Sequence, residues 1–260
     1  MLKFLKRTAG LSRAAPPAIP EGQRVYAVGD IHGRADLFDH LLEKIAADDG
    51  ARAPAETTLI LLGDLIDRGP GSCQVIERAM ELEQSGRDVR FLMGNHEEVF
   101  LEALKDPCRE TARFFYRIGG GETMLSYGLP EKELIECDSL QLAERMPSLV
   151  PQSHIDFLGR FDDQLTIGDY VFVHAGVKPG VPMEEQKQRH LRWIRDEFLH
   201  HDRYLGKMVV HGHTVTEAVE ERPHRIGVDT GAWSSGLLTA VALEGTERWF
   251  VDTADVLQAA

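Results

Sequence analysis

Three observations predict an α/β fold: three strand–loop–helix units in succession, an apolar strand of the kind buried on both faces, and polar residues placed just past each strand. The first unit is the β-rich run Val25-Tyr26-Ala27-Val28, followed by Gly29-Asp30-Ile31-His32-Gly33 and a helical spacing of Leu37, Leu41, Leu42 and Ile45. In such sheets, sites form beyond the carboxyl ends of the strands.

Taken in order, residues 1–24 carry Lys3, Lys6, Arg7, Arg13 and Arg24 against Glu21 alone, then Ala14-Ala15-Pro16-Pro17. That composition predicts a basic, flexible leader that ends as a stiff linker. Its apolar stretch is too short for a secretion signal. A single domain is expected over 25–255. A strand over 24–28 leads through the first polar loop to a helix over 35–47. Residues 57–62 form the continuous apolar strand, which is followed by Gly63-Asp64-Leu65-Ile66-Asp67-Arg68-Gly69-Pro70 and a helix over 73–84. A third strand, 89–93, ends in Gly94-Asn95-His96-Glu97 and a helix running through Leu104.

Residues 105–160 break this rhythm and read as a helical insertion, with helical stretches over 131–144 and 153–161. A hairpin is expected for 165–167 and 170–173 across Gly168-Asp169, its second strand running into His174-Ala175-Gly176. Helices over 183–198 precede a strand at 208–210, which leads into His211-Gly212-His213-Thr214. Strands over 225–228, 237–243 and 248–251 complete the chain.

Composition narrows the functional classes. Hydrophobic content of 43% and charged content of 27% belong to an ordinary globular protein. A formal net charge of −13 excludes a broad nucleic-acid surface, which needs clustered cations. An anionic substrate must then be held by local positive charge. Cys73, Cys108 and Cys137 have neither metal-binding nor paired spacing, so free thiols in a reducing, cytoplasmic setting are expected. No run is long enough to span a membrane, and nothing in the pattern sets an oligomeric state.

The polar residues past the strands form a set of oxygen and nitrogen donors: Asp30, His32, Asp64, Asn95, His174 and His213. Two metals sharing one carboxylate need about this inventory, with Asp64 as the natural bridge. Mixed carboxylate, amide and imidazole donors suit Mn²⁺, Fe or Zn²⁺ better than Mg²⁺ or Ca²⁺. Asp36, Asp39 and Glu184-Glu185 read as solvated helix faces or caps, Arg192 as a surface pair ahead of a place near substrate, and Asp229 either as a support for a metal-bound histidine or as a plain turn residue.

The ordered motifs GDIHG (29–33), GDLIDRG (63–69), GNHE (94–97), HAG (174–176) and GHT (212–214) resemble the calcineurin-like metallophosphoesterases, and within them the phosphoprotein phosphatases. The resemblance implies two packed mixed β-sheets flanked by helices, with a dinuclear centre at one edge. It implies Asp30, His32 and Asp64 on one metal, and Asp64, Asn95, His174 and His213 on the other, with Mn²⁺ first among the metals. His96 matches a general acid, Asp67 the carboxylate that orients it, and Arg68 and Arg195 the arginines that bind phosphate. Many relatives in the wider superfamily read GHxH. Here Val215 holds the last place, and His211 is not expected to be a ligand. The implied activity is hydrolysis of phosphoserine or phosphothreonine in proteins by direct attack of a bridging hydroxide. Dinucleoside polyphosphate hydrolysis at the same site is the alternative, and a non-catalytic phosphate-binding protein a distant one. The intact Asp67-Arg68 pair favours the phosphoprotein or phosphopeptide substrate.

Overall fold

The computed structural model describes residues 15–258. Two five-stranded sheets face one another. In the first, β1 (Gln23–Val28), β2 (Glu56–Leu61) and β3 (Asp88–Phe91) run parallel. The second contains β4 (Gln164–Ile167), β5 (Tyr170–Val173), β6 (Met208–His211), β7 (Glu220–Arg222) and β8 (Arg225–Gly227), in the order β4-β5-β6-β8-β7. Antiparallel β9 (Thr239–Glu244) and β10 (Glu247–Asp252) close the far side of the first sheet. The expected α/β class and two mixed sheets are therefore observed.

Alternation along each strand divides the core. Val25, Ala27, Ile60 and Leu62 meet Tyr170, Phe172, Val210 and Ile226 between the sheets. Tyr26, Val28, Leu59 and Leu61 turn outward, where α1 (Ala35–Gly50), α2 (Ser72–Gln84) and α3 (Asn95–Lys105) cover them with Leu37, Leu41, Val75, Ile76, Val99 and Phe100. Smaller packing of Val171, Val173 and Val209 against Leu191 and Phe198 covers the second sheet.

Parallel register aligns Val28 with Leu61 and Leu61 with Phe91, so the loops after β1, β2 and β3 emerge at one edge. The second sheet delivers the ends of β5, β6 and β8 to the same edge. There Gly29 lies against the Val228 carbonyl, and a Cβ on it would stand 2.5 Å from that oxygen. Only glycine allows that approach.

Three stretches depart from the sequence reading. Residues 15–22, read as part of a free leader, lie against the fold. Ile19 is buried and its N–H donates to the Gly245 carbonyl at 2.8 Å, while Asp169 N–H donates to the Ala18 carbonyl at 2.9 Å. Residues 1–14 of that leader lie outside the described residues. The helical stretch 131–144 is broken into Glu131–Glu136 and Ser139–Leu149. Asp138 restarts the helix, its Oδ1 accepting the amides of Leu140 (2.8 Å) and Gln141 (3.1 Å) while the Gln141 side chain accepts the Asp138 N–H. Finally, 183–198 is a 3₁₀ turn (Met183–Glu185) and two short helices (Gln188–Trp193 and Asp196–Leu199), with the break at Ile194-Arg195.

Candidate metal centre

Among the described residues, the non-glycine positions with positive φ are His32 (46°), Asp64 (50°), Asp67 (71°), Arg68 (68°) and His213 (63°). Each belongs to the set singled out from sequence. Such conformations cost on the order of 1–3 kcal/mol apiece and persist where the surroundings over-determine them. Here they turn side chains from several strand ends toward one point.

That point is the Asp64 carboxylate. Its Oδ2 lies 3.4 Å from His174 Nε2, 3.7 Å from His32 Nε2 and 3.8 Å from His96 Nε2. Its Oδ1 accepts the His96 amide at 3.0 Å. His174 Nε2 is also 3.0 Å from Asn95 Oδ1 and 3.1 Å from His213 Nδ1. Asp30 Oδ2 stands 4.0 Å from His32 Nε2, and both Asp30 oxygens accept the His213 N–H. Backbone carbonyls fix two rings: Ile66 O faces His32 Nδ1 at 2.8 Å, and Leu62 O faces His174 Nδ1 at 2.9 Å. All six predicted metal donors are buried and converge.

The donor chemistry fits divalent cations. Burial pushes His32 down to about 3 and His213 down to about 2, so both rings are neutral and carry a free lone pair. The Nε2 atoms of both are buried without a hydrogen-bond partner. Burial, Asp229 and Asp64 push the Asp30 carboxyl well above its usual range, the mark of carboxylates crowded together without positive charge. Among the described residues, two groups have donor atoms mutually close enough for an ion: His32, Asp64 and His96, and Asp64, His174 and His213. The first contains His96 in place of Asp30. His96 is engaged elsewhere: both of its ring nitrogens face side chains outside the donor set, Asp67 and Arg68.

His96 Nδ1 is 2.6 Å from Asp67 Oδ2, and Arg68 Nη2 is 3.0 Å from His96 Nε2. Arg195 is exposed at the break between two helices, close enough that its charge contributes to the lowered pKa of His213. Arg192 is not the expected surface pair. It is buried, held by Asp163 at 2.6 Å and Glu98 at 2.9 Å. His211 is buried beside Arg225 Nη1 at 3.4 Å and takes no place in the donor clusters. Asp229 is buried, one oxygen accepting the Gly231 N–H and the other unpartnered.

Three residues that sequence reasoning missed support the site. Glu97 is fully buried, and its carboxylate accepts the amides of Asp64 and Leu65 at 2.8 Å and of Gly94 at 3.1 Å. Burial and the Asp64 charge lift it to about 7. Thr123, from the insertion, donates to Asp67 Oδ1 at 2.6 Å and accepts the Asp67 N–H at 2.9 Å. Gly119 (φ 112°) accepts the Arg68 N–H at 3.0 Å, and a Cβ on it would stand 2.7 Å from Arg68 Cγ. The insertion thus seats both Asp67 and Arg68. Thr123→Val is expected to lower kcat about 10- to 100-fold with bound metal unchanged; steady-state kinetics beside metal analysis checks this.

A strand-end cage of buried imidazoles and carboxylates in a two-sheet α/β fold defines a metallophosphoesterase. The calcineurin-like phosphoesterase family model matches residues 23–229, and the chain belongs to that family. It is 26% identical over 242 residues to a bis(5'-nucleosyl)-tetraphosphatase PrpE [asymmetrical] of Bacillus thuringiensis (strain Al Hakam), covering 82% of this chain and 88% of that protein. Among solved structures, a candidate diadenosine tetraphosphatase superposes with TM-score 0.60 at 20% identity, covering 92% of this chain and 98% of the other. A protein serine/threonine phosphatase from Saccharomyces cerevisiae gives TM-score 0.50 at 16% identity, covering 87% and 76%. These structural likenesses speak to fold alone. No described helix is long and apolar enough to cross a membrane.

Proposed function

We propose that the chain hydrolyses dinucleoside polyphosphates asymmetrically at a dinuclear site. The observation that carries the choice of substrate is the relationship to the bis(5'-nucleosyl)-tetraphosphatases over most of both chains. It outweighs the preference for a phosphoprotein drawn from Asp67-Arg68. The phosphoprotein remains the second reading, favoured by the close His96–Asp67 pair, which serves an alkoxide leaving group best.

In this reading Asp30, His32 and Asp64 hold one cation, and Asp64, Asn95, His174 and His213 the other. Mn²⁺ is our first choice, with Fe or Zn²⁺ next. When bound, the pair neutralises phosphate charge and lowers the pKa of water toward neutrality. Arg68 and Arg195 grip the phosphate oxygens, the planar guanidinium matching their geometry. Asp67 keeps the proton on His96 Nδ1, leaving Nε2 to give its proton to the departing oxygen. The three free thiols suit a cytoplasmic setting.

The test is incubation with diadenosine tetraphosphate and Mn²⁺ beside a phosphoserine peptide. The expected products are ATP and AMP, at a higher kcat/KM than for the peptide. Intact dinucleotide with a dephosphorylated peptide overturns the reading. Arg68→Ala is expected to raise KM about 10- to 100-fold, the worth of a charge-assisted contact. Its metal content should stay unchanged, and metal loss in this variant would remove Arg68 from the phosphate-binding role.

A further inference from the structure

Trp233 stands beside the phosphate-binding arginine with its ring open to solvent. It is 43% exposed, and the Arg68 guanidinium carbon lies 5.4 Å from its ring centroid. The other two tryptophans are engaged: Trp193 Nε1 donates to Glu98 and Trp249 Nε1 to Asp48. Among the described residues, the indole N–H of Trp233 has no partner. Tyr116 and Tyr204 are more exposed still, and single exposed rings are ordinary; what sets this one apart is that it lies by Arg68 and is held in place. It sits on the four-residue helix Ala232–Ser235, framed by Gly231 (φ 70°) and Gly236 (φ 74°). Asp229 Oδ1 accepts the Gly231 N–H at 3.0 Å, Ser235 Oγ donates to the Thr230 carbonyl at 2.7 Å, and Arg34 Nη1 donates to the Ala232 carbonyl at 3.0 Å. The turn is thereby tied to the metal edge through Asp229, which neighbours Asp30.

We propose that Trp233 is the stacking platform for a purine base of the nucleotide whose phosphates Arg68 holds. The proposal rests on the dinucleoside polyphosphate reading and adds to it the residue that recognises the base. A nucleotide brings a flat ring and phosphates in one molecule; the indole and the guanidinium that lies over its ring supply the complementary pair. The Gly119 carbonyl holds the Arg68 backbone, and His96 Nε2 lies 3.0 Å from its guanidinium, so the arginine is held at the site next to the ring. Stacking on an aromatic side chain needs no particular hydrogen bonds from the base, and it discriminates nucleotides from bare phosphates.

Two measurements on the Mn²⁺-loaded full chain test this. In the first, Trp233→Ala is expected to lower kcat/KM for diadenosine tetraphosphate about tenfold, mainly through KM. The ratio of that activity to tripolyphosphate activity should fall by a similar factor, and Trp233→Phe should recover most of it. In the second, ADP is expected to quench the indole emission of the wild type where pyrophosphate does not, and Trp233→Phe should lose that quench. A fall shared equally by both substrates, or an ADP quench that survives in Trp233→Phe, overturns the proposal. So does a larger loss on a phosphotyrosine peptide than on the dinucleotide, which would make the indole a seat for a tyrosyl ring. If the wild type leaves the dinucleotide intact yet shows the adenine-specific quench, the substrate reading fails and the base platform stands. If the dinucleotide is cleaved and Trp233→Ala changes nothing, the platform fails and the substrate reading stands.

Discussion

Asp64→Asn is expected to empty the site of at least one metal and to cut turnover by on the order of 10³–10⁵-fold, several kcal/mol at 1.36 kcal/mol per tenfold. The substitution keeps the shape of the side chain, and an amide oxygen can still accept the His96 N–H that Asp64 Oδ1 accepts at 3.0 Å. What it removes is the negative charge at Oδ2, the atom within 3.4–3.8 Å of His174, His32 and His96. Burial works against a charge at that position, and the surrounding imidazoles nevertheless hold the Asp64 carboxyl well below its usual range. The anion is therefore the ionic centre of the cage, and a neutral amide cannot share two cations. Metal analysis after dialysis, with a melting curve to confirm folding, checks the prediction. Two bound ions and normal turnover in the variant would take Asp64 out of the mechanism.

The parts of the site visible in the sequence are those carried by strand ends. A parallel sheet sends each polar loop to the same edge, so the strand–loop–helix pattern alone groups Asp30, Asp64, Asn95, His174 and His213. The supporting contacts are hidden for different reasons. Glu97 stands inside the GNHE motif, but its task is to accept amides from a loop more than 30 residues earlier, which spacing along the chain does not reveal. Thr123 and Gly119 come from the insertion, whose docking against Asp67 and Arg68 is a tertiary event without a local signature. The break at Asp138 is another matter. Asp138 and Gln141 form a capping box that sequence alone displays, and a continuous helical pattern over 131–144 masks it. Ile19 reads as linker because prolines flank it, yet its side chain joins the core between the sheets and backbone hydrogen bonds to Gly245 and Asp169 dock the segment. For the substrate, the motif loops lean toward a phosphoprotein through the intact Asp67-Arg68 pair, whereas the likeness over most of the chain is to tetraphosphatases.

His96→Asn can separate those reactions. On an alkyl phosphomonoester such as phosphoserine, the departing alkoxide is strongly basic and needs a proton in the transition state. Loss of the general acid is then expected to cost about 10²–10⁴-fold in kcat. In a dinucleoside tetraphosphate the departing group is a nucleotide phosphate, a far weaker base that leaves without much help, so the same variant should lose much less. The pH dependence has a definite sign. Burial lowers the His96 pKa, but Asp64 and Asp67 outweigh that and raise it above its ordinary 6.5. The acid form therefore reaches to higher pH than in a free imidazole and disappears above the raised value. Wild-type kcat on the phosphomonoester should therefore fall as pH rises through that pKa, and the variant should lose that alkaline fall while retaining any acid-side limb. Rates measured from about pH 5 to about pH 10 on both substrates check this. An equal loss on the two, with the alkaline fall intact, would show that His96 positions the loop without giving up a proton. Asparagine keeps the backbone N–H that donates to Asp64 Oδ1, so metal content should hold and the comparison isolates the proton.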